Sequence, residues 1–363
     1  MLESFFKEQA SQKNAPFMKE VFLKKYQNEA ILITGAGGSI GRKLVETLVG
    51  MNFKKMILLD QSEFNLFKLK QCDFSRGVQF EIADIRDRRK IERIMHMYTP
   101  KLVIHTAAYK HVSLLHKDVY ELIRVNVEGT INVFKSSLKN GVSDFIFVST
   151  DKAVNPVNKM GLSKMLAELF LKSYALSTKI QVKIVRFGNV INSSGSVIPI
   201  FLENIHNGKD MEVRNKNVAR YFIYDDVVVK NILHIAIENT NATYLLEMNT
   251  PVKILDLANY IKRIKKGNSA IKIVDLQKEE KLTEELLNFD EHLEKTPYEN
   301  CYSVKNGLLP NKKLRKAIMK LVKSNKNWDS KKVTKQLQKC ISYTSLNFIA
   351  KYYSLSSWIY LDD

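Results

Sequence analysis

Three cysteines in 363 residues, Cys72, Cys301 and Cys340, are too few and too scattered for a disulfide framework. Their number is odd and none shows metal-ligand spacing, so reduced thiols in a cytoplasmic protein and no metal site are expected. Long apolar runs are missing too. None approaches the roughly 20 residues that span a bilayer, and the charged segment Met1 to Glu20 lacks the apolar core of a signal peptide. Acid is in deficit, 38 Asp and Glu against 57 Lys and Arg, for a net charge of +19. No nucleic-acid motif accompanies the excess, so an anionic small-molecule substrate accounts for it better than nucleic acid does. Neither an internal repeat nor a low-complexity linker is present.

What is present is a chain long enough for one large two-lobed domain or two domains, with 45% hydrophobic residues to fill a core. Short apolar, β-branched runs recur: Glu29–Thr34, Met56–Leu59, Val78–Ile82, Leu102–His105, Phe145–Ser149 and Val182–Phe187. Helical patterns separate them at Ile40–Val49, Asp87–Tyr98, Val119–Leu138 and Lys159–Ser177. This alternation predicts an α/β fold, a Rossmann-type doubly wound parallel sheet with helices on both faces. The expected divisions are a helical leader (1–28), a dinucleotide-binding domain (29–189), a smaller substrate-binding lobe (190–310) and a basic helical extension (311–363). Between Lys312 and Lys339 stand eleven basic residues and one acidic one, Asp329. Leu314, Ile318, Leu321 and Val322 form an apolar stripe beside those lysines. Packing on the protein's own core or on a sister subunit is the favoured use of the stripe, and contact with an anionic membrane surface the other. A homo-oligomer is expected.

The first strand runs into Thr34-Gly35-Ala36-Gly37-Gly38-Ser39-Ile40-Gly41. A glycine-rich turn between strand and helix lets the backbone approach a pyrophosphate, and the helix N-terminus offers free N–H groups. An acidic residue closes the next strand in Leu58-Leu59-Asp60, which completes a dinucleotide-binding pattern. Gly35, Gly38, Ser39, Ile40, Gly41 and Asp60 are therefore candidate cofactor contacts. Asp60 accepts from ribose hydroxyls and repels a 2′-phosphate, so NAD is favoured, with NADP left open. Asp84, after the third strand, faces adenine or caps the strand end.

The fifth strand ends in Ser149-Thr150-Asp151-Lys152, and Met160-Gly161-Leu162-Ser163-Lys164 follows. Positions 160 and 164 share one face of a helix. Together with the glycine turn, these residues resemble the polysaccharide-biosynthesis branch of the extended short-chain dehydrogenase/reductases. The branch includes UDP-N-acetylglucosamine 4,6-dehydratases. Further motifs carry the resemblance from about Ile31 to Leu287, among them Ala83–Asp87, His105–Val112, Asn126–Asn132, Arg186–Val190, Arg220-Tyr221-Phe222 and Glu280-Lys281-Leu282. In the wider superfamily a tyrosine stands where this chain has Met160. Some members of the branch carry methionine there.

The resemblance implies a nucleotide-sugar 4,6-dehydratase with tightly bound, recycled NAD and a UDP-sugar substrate. It implies cofactor contacts from Asp84, Ile85, Ala107, Ala108, Lys110, Asn126 and Lys164. Asp151 would be the acid on the leaving C6 hydroxyl and Lys152 the base at C5. An adjacent carboxyl and amine at a strand end suit that division of labour. If the two paired, their opposite charges would work against it. Met160 takes no proton, so a water ordered by Thr150, or Asp151 acting twice, must receive the C4 hydroxyl proton. Asn189, Ser196, Val197, Pro199, Arg220 and Glu280 are implied to hold the sugar nucleotide. Relatives place Arg-Pro-Gly before the Glu-Lys-Leu motif, and this chain has Gln277-Lys278-Glu279, so a bidentate phosphate donor is missing there. A 4-epimerase, a 5-inverting dehydratase and a non-enzymatic dinucleotide sensor stay open as alternatives.

Overall fold

The computed structural model describes residues 3–6, 18–71, 77–115, 118–175, 177–307, 310–326 and 330–344. Cys72 lies outside these residues, and Cys301 and Cys340 are buried free thiols. The first six strands are β1 (Ala30–Thr34), β2 (Lys55–Asp60), β3 (Val78–Ile82), β4 (Leu102–His105), β5 (Asp144–Val148) and β6 (Gln181–Arg186). All pair in parallel, in the spatial order β3-β2-β1-β4-β5-β6. Ile33 is flanked by Leu58 on one side and Ile104 on the other. Every residue of β1 is buried, as a strand covered by helices on both faces requires. The chain direction of the order reverses between β1 and β4. Ligands of doubly wound sheets bind at that reversal, outside the carboxyl ends of the strands.

The later strands are β7 (Asn189–Val190), β8 (Met211–Arg214), β9 (Ala219–Arg220), β10 (Phe222–Ile223), β11 (Ala242–Leu246), β12 (Val252–Lys253), β13 (Ile271–Val274), β14 (Glu291–Lys295) and β15 (Cys301–Asn306). Here the structure departs from the expected division at 189/190. β11 adds in parallel to β6, and β15 and β14 continue the sheet antiparallel, giving nine strands. The apolar run of β11 is buried from Thr243 to Leu246, and the sheet supplies that cover. Only the short pairs β7–β10, β9–β12 and β8–β13 build the small lobe over its own core of Phe201, Met211, Val213, Leu257 and Ile261.

The helix Lys19–Tyr26, in the expected leader, and the helices from Lys312 to Ser342, in the expected extension, lie against the main body. Phe22 and Tyr26 of the helix Lys19–Tyr26 are fully buried, and the Tyr26 hydroxyl donates to the Ala236 carbonyl at 2.6 Å. The basic segment folds as helices Lys312–Asn325 and Ser330–Ser342. Leu314, Ile318, Leu321 and Val322 join the core beneath the helix Lys159–Ala175. Each such burial is worth about 1.5–3 kcal/mol. The apolar stripe is thereby turned into the protein's own core. No described helix is long and apolar enough to cross a membrane.

Candidate active site

One large cleft of about 940 Å³ opens at the β1/β4 reversal and continues under the small lobe. Its cofactor end is built from backbone. Gly35 adopts φ +68°, and a Cβ there would stand 2.7 Å from the Ala107 nitrogen. A Cβ at Gly41 would meet the Gly35 carbonyl at 2.1 Å, so the turn and the following helix touch only because both are glycine. The helix Ser39–Leu48 starts at Gly38 with no side chain capping it. Its first N–H groups therefore face the cleft as donors for an anion. The Asp60 carboxylate fixes this turn: one oxygen accepts from the Gly37 N–H and the other from the Ser62 N–H, each at 2.9 Å. Gly35, Gly38, Ser39, Ile40, Asp60, Ile85, Ala107, Ala108 and Lys110 all line the cleft.

Three cofactor-end candidates stand elsewhere. Gly41 acts through packing. Asp84 does not line the cleft; both its oxygens bind Arg86, with an ion pair at 2.6 Å, and Ala83 and Ile85 form the wall instead. The Asp84 carboxylate is engaged by the Arg86 N–H and guanidinium just beyond the end of β3. Asn126 is buried in a π-helical stretch, Ile123–Gly129. Its amide receives the Tyr109 N–H at 2.8 Å and donates to the Tyr109 carbonyl and to Ser163 Oγ. It ties the β4 loop to the helix Lys159–Ala175 and so positions the wall without facing the cleft. Such π-turns often mark functional sites.

At the chemical end, the loop after β5 turns at Thr150, whose hydroxyl accepts from the Lys152 N–H at 3.4 Å. Lys152 Nζ lies 3.0 Å from Asp151 Oδ1 and 3.0 Å from Asn189 Oδ1. The pairing that was open in the sequence is therefore formed. Thr150, Lys152, Met160, Lys164 and Asn189 line the cleft. Asp151 is fully buried behind them; its Oδ1 also accepts from Thr150 Oγ1 at 2.9 Å, and its Oδ2 has no hydrogen-bond partner. Lys164 donates to the Val148 carbonyl at 2.7 Å and lies 3.9 Å above the Phe147 ring. Burial lowers its pKa to about 7, against the opposing charge of Glu168. Behind this wall, Arg186 joins Glu168 and Glu291, and Glu168 accepts from Ser149 at 2.6 Å, anchoring the strand end that carries Asp151.

At the substrate end, Ser196, Val197, Arg220 and Glu280 line the cleft, and Pro199 does not. The helix Val197–His206 begins there without a side-chain cap, and Ser196 Oγ is buried without a partner. Pro199 lies inside that helix, where its missing N–H has no role to play at the cleft. Sequence reasoning missed Tyr109, His111, Arg214 and Glu284. Gly195 carried a signal for His111: it takes φ +67°, and a Cβ there would strike the imidazole at 2.5 Å. Glu284 gave none, and it stands 3.9 Å from Lys152 Nζ and 3.8 Å from Arg220 Nε.

The family described as "Polysaccharide biosynthesis protein" matches residues 31–306. The chain belongs to that family. It is similar to the capsular polysaccharide biosynthesis protein CapD of Staphylococcus aureus, 36% identical over 289 residues, which cover 77% of this chain and 48% of CapD. The chain thus spans about half the length of the curated relatives that it matches at this level. A UDP-N-acetylglucosamine 4,6-dehydratase (inverting) of Campylobacter jejuni is 30% identical over 285 residues, 77% of this chain and 83% of that enzyme. Other relatives bear the name UDP-glucose 4-epimerase. Among solved structures, Pen from Bacillus thuringiensis superposes with a TM-score of 0.70 at 28% identity, covering 79% of this chain and 92% of that one. The family's extended short-chain dehydrogenase/reductase architecture agrees with the nine-stranded sheet described above.

Proposed function

We propose that this family member is a nucleotide-sugar 4,6-dehydratase that acts on a UDP-N-acetylhexosamine with a resident NAD and supplies surface polysaccharide synthesis. The observation that carries the reading is the Lys152 ammonium, held between Asp151 and Asn189 on the cleft wall, with Met160 rather than a phenol beside Lys164. A hydride-only reaction at C4 needs a proton acceptor on its hydroxyl and nothing at C5. An elimination needs a base at C5 and an acid at C6, which is the pair this wall provides.

The glycine turn, the uncapped helix and Asp60 fit a dinucleotide: backbone donors for its pyrophosphate and a carboxylate for its ribose. NAD would supply temporary storage of the hydride that leaves C4 and returns at C6. Lys164, anchored by the Val148 carbonyl, is placed to hold the nicotinamide ribose. Lys152, once it passes its proton to the Asp151 side, offers a lone pair toward C5. Asp151 is buried, so its proton reaches the C6 hydroxyl through Thr150 Oγ1, the hydroxyl to which it is bonded on the cleft wall. A water ordered by Thr150 takes the C4 hydroxyl proton and returns it to the Lys152–Asp151 pair once the C6 hydroxyl has left as water. Asn189 keeps the Lys152 head in place through its carbonyl oxygen. The divisions of the chain follow this use: the sheet carries cofactor and acid–base groups, and the lobe around β8–β10 and Val197–His206 covers the nucleotide.

The test is incubation of the purified chain with UDP-N-acetylglucosamine, no cofactor added, followed by mass spectrometry. Loss of one water is expected. A new isomer of unchanged mass would establish the 4-epimerase instead, and no turnover with cofactor bound would favour a dinucleotide sensor.

A further inference from the structure

The cleft's substrate end holds two guanidiniums in very different circumstances. Arg220 is 11% exposed, and one terminal nitrogen is consumed by the carbonyls of Ala219, Lys281 and Leu282 at 2.8–3.2 Å. Its Nε faces Glu284. Arg220 therefore holds the Glu-Lys-Leu segment against β9 through that nitrogen, with its Nε turned toward a carboxylate. Arg214, at the end of β8, is 33% exposed and lines the same cleft. A single terminal nitrogen makes both of its hydrogen bonds, to Gln277 Oε1 at 3.0 Å and to Glu280 Oε1 at 2.6 Å. Among the described residues nothing accepts from its Nε or its other terminal nitrogen.

Glu280 complements it. One oxygen pairs with Arg214 and the other is buried with no hydrogen-bond partner. A buried acceptor left unpaired costs about 1–3 kcal/mol unless a ligand satisfies it. Open cationic donors beside an open acceptor match a group that carries both phosphate and hydroxyls. Lys209 adds positive charge to this end, while Asp210 and Glu212 oppose it; Asp210 is already paired with Lys272 at 2.7 Å. Gln277 stands where the resembling branch has arginine, and the guanidinium that touches it comes from β8, the strand paired with β13 just before Gln277.

We propose that Arg214 is the diphosphate-binding guanidinium of this chain and that it and Glu280 together select a nucleoside diphosphate. This rests on the nucleotide-sugar reading of the cleft, but not on the dehydration itself. A guanidinium presents parallel N–H donors to phosphate oxygens, which an ammonium does not.

The experiment is calorimetric titration of the full chain with UDP, with NAD titration as a control on folding. Arg214→Ala should weaken UDP by about tenfold to a hundredfold and leave NAD affinity unchanged. Gln277→Arg added to Arg214→Ala should recover most of the loss, because it restores a guanidinium to the same spot from the neighbouring strand. Arg214→Lys decides the matter if the alanine variant loses NAD as well: it keeps the charge without the fork, and UDP should weaken with NAD unchanged. UDP affinity equal to wild type in a variant that retains NAD overturns the inference alone. A wild-type chain that binds NAD but not UDP overturns the nucleotide-sugar reading, and the inference with it.

Discussion

Removing the Lys152 amine is the most direct perturbation of the proposed chemistry. A general base contributes about 10²–10⁴ in rate. At 1.36 kcal/mol per tenfold, that is about 2.7–5.4 kcal/mol of barrier. The structure adds a second cost. Lys152 Nζ neutralises Asp151, which is fully buried and has only the Thr150 hydroxyl as another side-chain partner. Stripping one partner from a buried ion pair costs about 3–5 kcal/mol of stability. Lys152 is itself 17% exposed, so the lower end applies. That is a large part of the roughly 5–15 kcal/mol that holds a domain folded. Lys152→Gln separates the two costs: its amide still donates to Asp151 and Asn189, but it takes no proton from C5. The assay is solvent deuterium incorporation at C5 together with water loss, both by mass spectrometry, on protein shown by calorimetry to be folded and cofactor-loaded. Both variants should lose about 10²–10⁴ in rate, and Met160→Ala far less. A folded, loaded Lys152→Gln enzyme working near wild-type rate while Met160→Ala is dead would refute the assignment.

Asp60→Ala should weaken NAD binding and narrow the preference over NADP, since it removes a ribose acceptor and a phosphate-repelling charge, and it also frees the Gly37 N–H that shapes the turn. Tighter binding of NADP than NAD by the wild-type chain would contradict this. Lys164 imposes a pH dependence on stability. Burial lowers it from lysine's ordinary 10.5 to about 7, so between these values the folded chain holds fewer protons than the unfolded one, and its contribution to stability rises with pH across that window. Lys183, lowered by burial to about 8, adds a rise of the same sign. Urea unfolding of the cofactor-free protein at pH 7, 7.75 and 8.5, below the range in which the raised Cys301 and Cys340 thiols act with the opposite sign, should show that rise, and Lys164→Met should flatten it only in part. An identical pH slope in the variant would show that Lys164 is not buried as described.

The six parallel strands and their helices were legible in the sequence because each is a local pattern: a short β-branched run covered on both faces, or an apolar stripe with helical period. The glycine turn was legible for a similar reason, since strand, glycines, helix and Asp60 occur in fixed order within 31 residues, Ala30 to Asp60. What stayed hidden depends on residues far apart in the chain. β11, β14 and β15 read as parts of a second lobe, and only pairing with β6 at one edge returns them to the sheet. The pairing of Asp151 with Lys152 turned on side-chain direction, with Asn189 completing the cradle from 37 residues away. Asp84 follows β3 as its place in the sequence suggests, and its pairing with Arg86 two residues on became visible only with side-chain direction. Arg214 meets Gln277 and Glu280 across 63 and 66 residues, and nothing in an Arg-Asn-Lys-Asn loop marks it as a ligand residue. Composition and periodicity specify elements because the burial pattern of each is written in consecutive residues. Which side chains share a cleft is decided when those elements pack, and electrostatic partners are chosen from whatever that packing brings within a few ångströms.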